Sequence, residues 1–136
     1  MLALLFAAAL ALQDAPIIVE VTPQVEPPRP EDFVVIDALP LEQAAAVRCA
    51  ITFATIGRWQ KAGDARGAAY PDMEAAGGRE FFVQAMAKLM DDTGLSREAI
   101  MALTFREVAN HDNPEGEARI KALMPACELM KSTAGL

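Results

Sequence analysis

The chain changes its pattern of apolar and polar positions at Pro40. After it, apolar side chains recur at helical spacing, and the punctuation predicts four helices. The first runs from Leu41 to Lys61, with Glu42 where the helix dipole favours an anion. At 100° per residue, Ala46, Cys49, Phe53, Ile56 and Gly57 share one face, and Val47, Ile51 and Ala54 widen the apolar arc well beyond a normal stripe. A helix this apolar all round belongs in the middle of a bundle. The second, "REFFVQAMAKLMDDT", sets Phe81, Phe82, Ala85, Met86 and Leu89 against Glu80, Gln84 and Asp91. Gly94 supplies its stop and Ser96 caps the next. That third helix, "SREAIMALTFREVAN", is expected to bury Ile100, Met101, Thr104, Phe105 and Val108. Asn113 and Pro114 start the last helix, whose apolar face is Ile120, Leu123, Met124, Cys127 and Met130. Pro125 inside it predicts a kink or local break.

Two stretches interrupt the periodicity. Ala62 to Gly78 holds four of the eight glycines and a proline, and predicts a mobile connection with one loose turn near Asp72 to Ala76. Residues 12–40 contain six of the nine prolines and read as an extended, proline-rich arm. Within it "FVVIDALP", Phe33 to Pro40, is apolar enough to lie along the domain in extended form. No second strand exists to pair with it, so the expectation is an all-α protein: a small four-helix bundle over residues 41–136 behind an extended arm.

Both cysteines fall on apolar stripes, Cys49 in the first helix and Cys127 in the last. Two inward-facing thiols in an oxidising compartment close into a disulfide linking those helices. Buried free thiols are the plainer alternative. A catalytic thiol would need a base and an electropositive setting, and the sole histidine, His111, lies in the polar turn "NHDNPEG". There is no CxxC spacing for a redox or zinc site.

The compartment follows from the first residues. "MLALLFAAALAL" is uncharged, too short to span a bilayer, and followed by "QDAP", which is the pattern of a secretory signal over residues 1–11 with cleavage after Ala11. The expected location is periplasmic or secreted, with no stable membrane span once the signal is removed. A formal charge of −7 in 136 residues, with 12 scattered Lys and Arg, argues against nucleic acid as a partner.

Sites of chemistry are few. His111 with Asp112 lacks a second histidine for a metal, "DDTGLSRE" fails the alternating oxygen ligands of a calcium loop, and "GGRE" lacks any phosphate-loop pattern behind it. No catalytic residue, cofactor site or metal site is assigned, and an enzyme is not expected. Of the seven methionines, several lie on apolar stripes, where they fill a core or line an adaptable groove. Trp59, Tyr70, Met86 and Met90 are the candidate interaction surface; the competing readings are core filling for the methionines and, for Trp59 and Tyr70, rim aromatics that cover the core.

The apolar leader, proline-rich spacer and helical body with "RCAITFA", "GREFFVQAMAKLMDDTGL" and "MPACELM" resemble small two-cysteine periplasmic proteins of proteobacteria that carry no assigned activity, over about Leu41 to Leu136. A fainter likeness is to the HdeA-type acid-stress chaperones, small helical proteins with one disulfide; here the cysteines are wider apart and the arm is extra. The resemblance implies an exported, non-enzymatic helical protein in protein interaction or envelope stress protection, with another envelope protein as partner. An accessory or inhibitor-like binding module, reaching a secreted enzyme or envelope partner with its arm, is the alternative.

Overall fold

The computed structural model describes residues 35–136, so the expected signal and most of the arm lie outside the described residues. Among the described residues four α-helices carry the fold: α1 (Leu41–Lys61), α2 (Gly78–Thr93), α3 (Arg97–Asn110) and α4 (Pro114–Thr133). Two short 3-10 turns, Ile36–Ala38 and Ala65–Ala69, complete it, and no strand occurs among the described residues. The helices start and stop where local chemistry directs. Gly94, at φ 71°, ends α2; the Ser96 hydroxyl accepts from the Ala99 amide at 3.1 Å; the Asn113 side chain accepts from the Gly116 amide at 2.8 Å.

The breadth of the apolar arc on α1 has its expected consequence. This helix packs against α2, α3, α4 and both 3-10 turns, and buries Val47, Cys49, Ile51, Phe53, Ile56 and Trp59 among others. Phe53 meets Phe81 of α2 edge-on, ring centroids 5.5 Å apart. Thr52 and Thr55 are also fully buried on α1, and Thr55 returns its hydroxyl hydrogen to the Ile51 carbonyl at 2.8 Å. Cys49 and Cys127 are joined, with Cα atoms 5.1 Å apart, so the disulfide links α1 to α4 across 78 positions of sequence.

Four expectations need correction. The last helix runs unbroken through Pro125, which is exposed, as is Lys121, the residue whose carbonyl loses its helical donor to the proline. Residues 36–38 form a 3-10 turn rather than continuing an extended arm, while the expected contact with the domain is present, Ile36 entering the core and Leu39 packing against it. The connection between α1 and α2 is fastened rather than mobile. The Gln60 amide donates to the carbonyls of Gly67, Tyr70 and Pro71 at 2.8–3.3 Å and accepts from the Met73 amide at 3.0 Å, and Met73 is buried. The expected turn at Asp72–Ala76 is present. Finally, α3 is rotated from its expected orientation. It buries Ala99, Ile100 and Leu103, leaving Met101 49% and Phe105 66% exposed.

Candidate functional site

The rotation of α3 follows from a helix with two apolar sides. Ala99, Ile100 and Leu103 cluster on one side and turn to α1 and the core. On the other, Met101, Ala102, Phe105 and Ala109 repeat at three- and four-residue steps, with Glu98 at the beginning of the row. The core can accept only one of them. The side left outward therefore presents a half-exposed methionine and a largely exposed phenylalanine one turn apart, both among the exposed large apolar side chains of the described residues.

A second cluster lies where α3 turns into α4. His111, expected in a solvated polar turn, is 8% exposed. Its neighbour Gly116 lets the first turn of α4 close over the histidine backbone: a Cβ there would stand 2.5 Å from the His111 Cα. The His111 Nδ1 is 3.3 Å from the Thr55 hydroxyl oxygen. Since Thr55 gives its own hydrogen to Ile51, the imidazole Nδ1–H donates to that oxygen. The polarity is opposite to that of a base withdrawing a proton from a nucleophile, so the pair holds a hydroxyl in place without activating it. Burial, followed by the positive charge of Arg119, pushes the His111 pKa below its ordinary 6.5, against a smaller opposing pull from Glu107.

Beside this pair, Arg66 lies over the Trp59 ring, 4.6 Å from its centroid, and bonds to Asp64, Asp112 and Glu117; Arg58 adds a second bond to Asp112. Hydrogen bonds from the Arg66 side chain and amide lower the Asp64 pKa to about 2, and the Arg58 guanidinium, followed by that of Arg66, lowers that of Asp112. The network fastens the Ala65–Ala69 turn and the start of α4 to the end of α1.

The residues expected to form a contact surface do not meet in one. Trp59 and Met86 are buried, because α1 is enclosed and α2 turns Met86 to the core; Tyr70 and Met90 are partly buried and pack against that core. The surface of the described residues has hollows beside α1. One of 860 Å³ lies between α1, the connection and α2, over Phe53, Gly57, Met73 and Phe82, with Lys61 and Arg79 at its edge. Another, of 420 Å³, lies over Val47, Phe81, Leu89 and Met130. Among the described residues, no group of three or more His, Cys, Asp or Glu side chains is arranged to hold a metal ion, and no helix is long and apolar enough to cross a membrane.

Reasoning from sequence missed His111, Gln60 and Arg66. The signals for them were weak: Gly116 in a first helical turn, and a glutamine placed just before a glycine-rich connection. Comparison with protein-family models, curated proteins and solved structures finds no match to this chain.

Proposed function

We propose that this is an exported, non-enzymatic helical protein of the periplasm or the exterior, which works by contact with other polypeptides in interaction or stress protection. One observation carries the reading: the outward side of α3 is apolar, with Phe105 and Met101 exposed on a helix whose opposite side is already satisfied by the core. The disulfide supports the compartment, since such bonds persist where thiols are not kept reduced. The apolar, uncharged first twelve residues support the same route.

The test is suppression of aggregation of an unfolding client, at neutral and at low pH, with wild type and Phe105→Glu. A protective protein loses activity with the charge on α3; equal activity of the two removes the reading. Acid matters because His111 is kept neutral and buried, so protonation there favours opening. A hydrophobic dye that stays dark as the pH is lowered would sink the acid-response version.

A second reading, an accessory module that holds a partner with residues 12–34, is favoured by the anchoring of Ile36 and Leu39, which fixes the root of that segment on the core. Deleting residues 12–34 abolishes partner capture under this reading and leaves client protection intact under the first.

A further inference from the structure

We infer that the 860 Å³ hollow between α1, the connection and α2 binds a small, uncharged, apolar molecule. This goes beyond contact with polypeptides and uses a part of the surface other than α3. Sites for small ligands are typically about 300–1,000 Å³ with mostly apolar linings. The hollow has that size, and Phe53, Ala54, Gly57, Met73 and Phe82 lay an apolar floor across it. Ala54 and Gly57 stand three residues apart on one side of α1, so along that helix the floor is made of small residues and lies close to the backbone.

Gly57 is the observation that points to an occupant. Glycine is the poorest helix former after proline, yet this one lies inside the 21 residues of α1. Packing does not require it: a Cβ there would meet only the Cβ of Met73, at 3.6 Å, an ordinary contact. Gly67 and Gly116 differ, since a Cβ would stand 2.8 Å from the Gln60 backbone nitrogen in the first and 2.5 Å from the His111 Cα in the second. What the missing methyl of Gly57 keeps clear is the floor of the hollow, where a ligand can lie against the helix backbone.

The charges around the hollow set the charge of the ligand. Arg58, Lys61 and Arg79 line it against Asp64, Asp72 and Glu74, three of each sign, in a chain whose formal charge is −7. Three are already engaged: Asp64 with Arg66 at 2.6 Å, Arg58 with Asp112 at 3.1 Å, and Asp72 with the amides of Glu74 and Ala75 at 2.9 and 3.1 Å. An ionic ligand would give up hydration over the apolar floor and meet no net opposite charge in return, whereas an uncharged one loses nothing by the exchange. The hollow of 420 Å³ differs on both counts, with Glu42 and Asp92 against Lys88 and no glycine in its lining.

Phenylnaphthylamine, an uncharged dye that brightens in apolar surroundings, tests this with the full, oxidised chain; its anionic relative, anilinonaphthalene sulfonate, is the charge control. Saturable binding of one dye per chain is expected, with micromolar dissociation. Ala54→Leu, which fills the floor, should weaken it at least about tenfold. Gly57→Ala should weaken it too while raising the urea midpoint, two changes that damage to the fold cannot produce together. Ala85→Leu, which fills the smaller hollow, should leave binding unchanged. Absence of saturable brightening, or tighter binding of the sulfonate, overturns the inference. So does wild-type affinity in both Ala54→Leu and Gly57→Ala, or loss of the dye in Ala85→Leu or Phe105→Glu. Because Phe105 lies outside the hollow, failure of client protection and failure of dye binding are read separately.

Discussion

Removing the bridge between Cys49 and Cys127 is the perturbation with the largest calculable effect. The Cys49→Ala, Cys127→Ala double variant frees a denatured chain that is otherwise closed over 78 positions. In the chain-entropy treatment a closed loop of that length is worth about 4 to 5 kcal/mol at 25 °C. Typical single domains are stable by only about 5 to 15 kcal/mol, so the variant should sit near the edge of folding. At about 4 °C per kcal/mol for a body of this size, its melting temperature should drop by roughly 15–20 °C. Urea titration of oxidised wild type and of the variant gives the same comparison isothermally. The midpoint should fall, and the slope should rise because the unbridged denatured chain exposes more surface. The sulfurs are also inaccessible, Cys127 fully and Cys49 nearly so. Reduction of wild type by a small thiol should therefore proceed no faster than global opening, and should accelerate with urea. A double variant that loses less than about 1 kcal/mol would refute the loop-closure reasoning, as would reduction in the absence of denaturant at the rate of an exposed disulfide.

The junctions around α1 carry further predictions. The His111 pKa is lowered in the fold, so on acidification the unfolded chain takes up the proton first; stability is fully present above about 6.5 and is lost as the pH falls from there toward the folded value. Urea midpoints should thus decline between about pH 7.5 and pH 5 in wild type and much less in His111→Gln; parallel declines would place the acid sensitivity elsewhere. The lowered carboxyls of Asp64, Asp92 and Asp112 act separately, contributing stability above about 3.8 that is lost as the pH falls below it. Gly116→Ala puts a Cβ against His111 backbone atoms at 2.5–2.6 Å, which cannot swing aside, and should cost about 1–3 kcal/mol by chemical denaturation. Gln60→Ala removes the hydrogen bonds that fasten the connection, so amide exchange at Met73 and proteolysis within residues 63–77 should accelerate while α1 and α4 remain protected.

The parts of the fold legible in the sequence were those set by local chemistry. Gly94, Ser96 and Asn113 mark helix ends through backbone conformation and side-chain capping, which depend on nearby residues alone. The pairing of Cys49 with Cys127 was legible because each stands at the centre of an apolar stripe. Orientation was harder. On α3 the stripe Ile100, Met101, Thr104, Phe105 and Val108 straddles two apolar sides, and periodicity cannot say which one the core will take. His111 was read as solvated because its sequence neighbours are polar, yet what buries it is Thr55, distant in sequence, and the close approach permitted by Gly116. The connection after α1 has the glycine content of a loose segment, and its order comes from one side chain, Gln60, whose role depends on where the carbonyls fall. Trp59, read as a rim residue, is covered by the Arg66 network, a contact made only once residues 64–66 and the start of α4 have come together.

The central place of α1 sets a timetable on biosynthesis. Ribosomes deliver this segment before any of the three helices that shelter it, so a nascent chain must carry a greasy cylinder with no lid while the remainder is made. Its sulfur waits equally long, because the thiol it joins arrives 78 residues later. The clasp accordingly closes last: a chain interrupted anywhere before Cys127 is left unfastened.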